Sequence, residues 1–303
     1  MKQLLLLWCL AASTLGYACD ICGCGVGTQY VGIQPGFSKR VVALRTQYRS
    51  ITTHVGLGGS NTHLTAKEQF FTTEVLVAIP IGQRWRFMAN LPVGIIGKTR
   101  VTSGEHVATN GLADASATVL REITNVNTTW QGKKLAVSGW LGAGIKAPTG
   151  KYTAANQANG FNSFQLGSGS WDALLQAMYD VRLNDWGINI ASLYRINSAN
   201  AHQYQFGNRT SVTMQAYKKI ASSRLGTFSP NAGWLYEHAQ ADRNFQEKVL
   251  FSSGYIHHAS IGLEWKRNHW LAGANIQIPL VQTVAQGFAT AHSRAMFFVG
   301  FSF

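Results

Sequence analysis

The chain has 303 residues and carries 26 Lys and Arg against 13 Asp and Glu, a formal net charge of +13. That length holds one large all-β domain or two average ones. The positive balance suits anionic headgroups or a lipopolysaccharide-like surface, and equally a solvated face; with no basic stretch interleaved with aromatics, and with the export signal described next, nucleic acid is excluded as a partner.

Lys2, the apolar run Leu4–Ala12 and the small-x-small sequence Gly16-Tyr17-Ala18 form a secretory signal peptide over residues 1–18. Cleavage after Ala18 would remove Cys9 and leave Cys19, Cys22 and Cys24 at the new N-terminus, in an oxidising compartment. The segment 19–38 is expected to be periplasmic or lumenal. Three readings of its thiols stay open: with Asp20 they hold a soft ion, copper or zinc; they form a disulfide, Cys19–Cys22 or Cys19–Cys24, with one thiol left for a partner; or Cys19 carries lipid.

From residue 39 to the C-terminus the chain reads as strands. Twelve segments alternate at period two, near 40–53, 66–79, 83–97, 111–125, 133–147, 170–183, 185–197, 208–221, 225–240, 255–267, 269–281 and 293–303. Short connections such as Pro80-Ile81-Gly82, Leu183-Asn184-Asp185 and Arg267-Asn268 alternate with long ones at 54–65, 98–110, 148–169 and 241–254. The apolar run 271–291 contains Asn275, Gln277, Gln282, Gln286 and Pro279, so it is read as strand rather than as a lipid-spanning helix.

Short turns at one end and long loops at the other are the pattern of an outer-membrane β-barrel. Trp85, Phe87, Ala89, Leu91, Val93 and Ile95 share one face, while Arg84, Arg86, Met88 and Asn90 share the other. The strand charges Arg45, Glu74, Arg84, Arg86, Asp114, Asp172, Asp180, Arg182 and Glu264 all fall on the parity that would face the lumen. Tyr48, Trp85, Trp171, Trp186, Tyr194, Trp265 and Trp270 stand near strand ends, where interfacial girdles belong. The chain closes on Phe301 and Phe303, a partial match to the C-terminal aromatic signal read by the barrel-assembly machinery.

Three stretches carry a family resemblance: "GLADASATVL" (111–120), "GIKAPTGKY" (144–152) and "LGSGSWDALLQAMY" (166–179). In order and spacing they resemble the outer-membrane transporters grouped with the MetA-pathway phenol-degradation proteins, distant relatives of FadL-type hydrophobe channels. The resemblance implies a transport barrel for small hydrophobic compounds. Read by themselves, Asp114 and Asp172 begin strands after Gly-rich loops, and either line the lumen or accept hydrogen bonds from adjacent loop backbone. Pro148-Thr149-Gly150 reads as a chain reversal.

The expected protein is thus an all-β, transmembrane antiparallel barrel over 39–303 in a Gram-negative outer membrane, with both termini periplasmic. It is expected to be a passive channel for small hydrophobic compounds or soft metal ions and not an enzyme, with Arg45, Glu74, Arg84, Arg86, Asp114, Lys146, Asp172 and Glu264 lining the lumen. Its partners would be outer-membrane lipids, lipopolysaccharide, the assembly machinery through Phe303 and a periplasmic metal-handling protein. The alternative is a closed barrel anchoring a periplasmic partner through the cysteine segment. His257-His258 at the external end of the tenth strand, and His54, His63, His202 and His238 near loops, read as solvent-exposed.

Overall fold

A computed structural model describes residues 39–56, 59–153 and 164–303; the signal-peptide and cysteine-segment readings, Cys19, Asp20, Cys22 and Cys24 included, lie outside the described residues. Within them the chain is a closed antiparallel barrel of twelve strands. The staves, in chain order, are β1 (Val41–Val55), β2 (Asn61–Ile81), β3 (Trp85–Arg100), β4 (Ser116–Trp130), β5 (Lys133–Lys146) and β6 (Asp172–Leu183). They continue with β7 (Trp186–Ile196), β8 (Arg209–Lys218), β9 (Gly226–Ala239), β10 (Gly254–Arg267), β11 (Trp270–Val284) and β12 (Arg294–Ser302). Closure is made by β1 against β12, in register from Val41 opposite Ser302 to Tyr48 opposite Ala295. Beyond that register, Arg40 and Phe303 exchange backbone hydrogen bonds at 3.2 and 3.0 Å. A sheet sealed in this way leaves no edge for lipid to meet.

All twelve expected segments are present, but several run further than the alternation suggested. β2 begins at Asn61 and β3 extends to Arg100, so the expected long connections at 54–65 and 98–110 are largely strand; His106–Leu112 is a further short strand lying against β3 above the start of β4. Their Thr, Asn, Gly and His residues have the composition of a loop, and the ladder to the neighbouring strand overrides it. At the other end, Pro80 and Ile81 belong to β2, and the chain turns at residues 82–84. Proline is tolerated there because β2 has already passed the end of β1, whose pairing stops at Ala78. The run 271–291 is strand followed by one 3-10 turn (Ala285–Gly287) and a short strand (Ala289–Ala291). Pro279 sits beside a register shift, since His257 faces Val281 and His258 faces Pro279, leaving Leu280 as the extra residue of a bulge.

The outer face is apolar around the wall. Leu44, Val75 and Leu91 stand side by side on adjacent strands and are 52, 43 and 46% exposed. Near the strand ends Trp85, Trp171, Trp186 and Trp270 are also open to the exterior. Two cations on the outer parity lie over girdle rings, Arg121 on Trp85 and Lys218 on Trp186, at 5.5 and 5.1 Å from the ring centroids. Such pairs let a long side chain keep its charge at the interface while its stem rests on apolar surface.

Inside, two apolar layers flank polar side chains. Toward the turn end, Val41, Ala43, Leu76, Met88, Leu271 and Phe298 are buried together. Toward the loop end, Ile51, Phe70, Ile96 and Ile256 pack with Phe164 and Leu166, which come from the connection between β5 and β6. Residues 164–166 therefore lie in the barrel mouth. Leu166 seats on two glycines: a Cβ added at Gly94 would come within 2.9 Å of its Cδ2, and one at Gly111 within 3.3 Å of its Cδ1. A larger residue at Gly94 would therefore oblige the end of the Leu166 side chain to shift.

Candidate functional site

The three motifs that carry the family resemblance meet at one point of the wall. Lys146 ends β5, Asp172 begins β6 directly opposite it, and Asp114 lies in the bend before β4. The Lys146 ammonium is 2.6 Å from Asp114 Oδ2 and 2.7 Å from Asp172 Oδ2, and the charged ends of all three are nearly inaccessible. Ser168 donates its backbone N–H and hydroxyl to Asp114 Oδ2 at 2.8 and 2.9 Å. Gly150 N–H reaches Asp114 Oδ1 at 3.0 Å. Asp172 Oδ1 accepts from the Ser170 hydroxyl at 2.9 Å and the Ser198 N–H at 3.1 Å.

These bonds decide between the two readings of the aspartates. Both are saturated by loop backbone, hydroxyls and one lysine, so they hold the re-entrant segment against the wall. Thr149 bonds both Ala113 O and the Ala115 N–H at 2.8 Å, which makes the Pro148-Thr149-Gly150 reversal part of the same latch. Beyond it, Gln165 exchanges two hydrogen bonds with the Thr153 backbone, at 2.8 and 2.9 Å. Phe164 and Leu166 are thereby fixed in the mouth.

The other expected lumen residues fall as follows. Arg45 and Glu74 are cross-strand partners on β1 and β2, with Nε 2.6 Å from Oε1. Glu74 Oε2 also accepts from Asn90 Nδ2 at 2.9 Å. Glu264 is buried on the inner face of β10, its Cγ against Gly273. Arg86 is 2% exposed and reaches the Lys39 carbonyl at 3.4 Å, at the turn end. Arg84 differs from expectation: it lies exposed in the turn before β3 and does not line the lumen. The alternation holds through it by sequence, but the strand begins only at Trp85.

Two further buried charge groups belong to none of the sequence motifs. Lys98 Nζ lies 2.9 Å from Glu68 Oε1, which also accepts from Thr53 Oγ1 at 3.1 Å. Arg294 grips Glu237 with both terminal nitrogens, one bond being Nη1 to Oε1 at 3.0 Å, and lies 2.9 Å from His258 Nε2. His258 is therefore fully buried rather than solvent-exposed. Its neighbour His257 stacks on Trp234 and lies tilted against Tyr236. Parity was the available signal, since Glu68 shares the face of Glu74 and His258 that of Glu264.

At the loop end, His292 bonds Thr52 Oγ1 at 2.9 Å. Burial, and then the nearby Lys67, hold its pKa below the ordinary histidine value, so it is neutral at neutral pH. Among the described residues no group of three or more His, Cys, Asp or Glu is arranged to hold a metal ion.

No protein-family model and no curated protein matches the chain. Solved structures do. An outer-membrane channel from Pseudomonas putida F1 is similar with a TM-score of 0.61 at 13% identity, over 90% of this chain and 100% of that one. The β domain of the Bordetella autotransporter Brka is similar with a TM-score of 0.52 at 9% identity, over 88% of this chain and 100% of that one. At these identities the likeness is one of fold, and it extends over nearly the whole chain.

Proposed function

We propose that the chain is an outer-membrane barrel that passes small hydrophobic or poorly water-soluble compounds passively, with its turn end and both termini on the periplasmic side. The observation that carries this reading is the lumen itself. A sealed wall with an apolar exterior encloses an interior that is apolar at each end and polar between, and the loop-end layer is completed by a re-entrant segment. A solute with an apolar body finds matching surface in both layers. The likeness in fold to an outer-membrane channel and the resemblance of the three latch motifs to the hydrophobe transporters support the same reading.

Short turns face the periplasm in barrels of this kind, which supports the orientation and would bring the segment 19–38 to the periplasmic mouth. A soft-metal or plugging role for Cys19, Cys22 and Cys24 draws on their spacing alone. A second reading, a closed barrel that anchors a periplasmic partner, is favoured by one observation: Phe164 and Leu166 fill part of the mouth.

Planar-bilayer recording separates the two. Purified protein is expected to give discrete conductance steps, and Leu166→Ala to raise the step size by about twofold or more, because it removes bulk from a hydrophobic constriction. Silent bilayers for both proteins would favour the anchor.

A further inference from the structure

The two ends of the barrel treat their cations differently. The ion pairs among the described residues all lie in the lumen or at the loop end. At the turn end, by contrast, Arg40, Arg84, Arg121, Lys218, Arg224 and Arg267 are exposed and in no ion pair among the described residues. Arg40 continues the outward parity of Val42 and Leu44 on β1, and Arg121 that of Val119 on β4. Lys218 follows Met214 on the outer face of β8, and Arg267 follows Leu263 on that of β10. Arg84 and Arg224 stand in the turns before β3 and β9.

Acids are sparse here. Asp185, in the turn between β6 and β7, is exposed and interacts with Lys219. Glu122 is half-buried and accepts from Asn125 Nδ2 at 2.8 Å. Asp180 and Glu264 belong to the inner side, where Asp180 takes the Tyr217 hydroxyl at 3.1 Å and Glu264 is buried. The chain-terminal carboxylate of Phe303 adjoins Arg40 through the backbone seam without forming an ion pair. The outer rim at the turns is therefore net positive.

We propose that this rim is a belt for anionic phospholipid headgroups, Arg40, Arg121, Lys218 and Arg267 holding the phosphodiesters of the leaflet that meets the turns. Two observations favour a lipid surface over an acidic protein. The cations are spread over β1, β4, β8 and β10 and the turns before β3 and β9, so they encircle much of the wall, whereas a protein would dock on one sector. Arg121 and Lys218 also rest on the indoles of Trp85 and Trp186, which sets their charge at the depth of the headgroups. Such cations attract anionic lipid through a field that salt screens. Binding of this kind does not depend on whether the lumen conducts, and which leaflet it concerns follows from the orientation proposed above.

The test is tryptophan quenching of the full chain in phosphatidylcholine bilayers. The host lipid is replaced stepwise by brominated phosphatidylglycerol or by brominated phosphatidylcholine with the same chains. Phosphatidylglycerol is expected to bind at least ~5-fold more tightly at low salt, with the ratio falling toward one at 1 M salt. Replacing Arg40, Arg121, Lys218 and Arg267 together with Gln should remove most of the preference, while Arg243→Gln with Lys248→Gln, exposed at the loop end, should leave it in place. Should the quadruple variant not fold, Arg121→Gln with Lys218→Gln decides, with an expected fall of about twofold or more. Equal affinity for the two lipids would overturn the proposal and leave the rim to a soluble acidic partner. A preference that survives the turn-end substitutions, or is lost through the loop-end pair, would overturn it as well.

Discussion

Replacing Lys146 with Met is expected to lower the barrel's unfolding free energy by about 3–5 kcal/mol, because it removes one partner from a buried ionic group and strands the others. Here the loss is doubled in kind, since Asp114 and Asp172 both face the missing ammonium and both are buried. With the lysine gone, two carboxylates remain close together in a site that excludes water. Asp114 keeps its bonds from Gly150 and Ser168, so the strain should fall first on the latch and release Phe164 and Leu166 from the mouth. Urea unfolding of protein in liposomes, followed by tryptophan fluorescence, measures the cost. The double variant Lys146→Met with Asp172→Asn should recover part of it, as expected for groups coupled through one contact; additive losses would mean that the three do not act as a unit.

Val75→Arg is expected to cost about 2–4 kcal/mol by the same measurement, the cost of a cation on the lipid face near the midplane. Val75 stands between Leu44 and Leu91 in a continuous apolar belt and has no acid beside it on that face. Gln83→Arg, in the turn between β2 and β3, serves as the control and should stay within about 0.5 kcal/mol of the parent. If the two substitutions were equally mild, the outer parity would be facing water.

Most of the fold could be read from the sequence, because a barrel wall imposes a single rule on every strand. With lipid on one side and lumen on the other, alternation along residues such as Trp85 to Ile95 names the face of each side chain before any pairing is known. The pairing itself was harder to read. Alternation puts Arg45 and Glu74 on the inner face, but that they touch depends on the β1–β2 register. The same holds for Lys146 meeting Asp172 across β5 and β6, while Asp114 arrives from a bend whose path no periodicity specifies.

The structure departs from the alternation at strand ends. Arg84 obeys the alternation one step beyond the point where the ladder begins. Lys98, between Gly97 and Thr99, has the local composition of a loop, yet it forms a buried pair with Glu68. His258 has the near-loop setting of the other histidines, but its parity matches that of Glu264 and it is buried. Tertiary pairing decides such positions, and local composition does not. The inward fold of Phe164–Leu166 left no sequence signal beyond the small residues, Gly94 and Gly111, that receive it.

All of this depends on whether the apolar outer parity meets acyl chains around the whole circumference. Fractionating cells that express the full chain tests it directly. The chain should sediment with the outer membrane, require detergent for extraction, and migrate on a gel differently before and after boiling, as a sealed barrel does. Recovery of folded chain from the soluble periplasm without detergent would contradict the account.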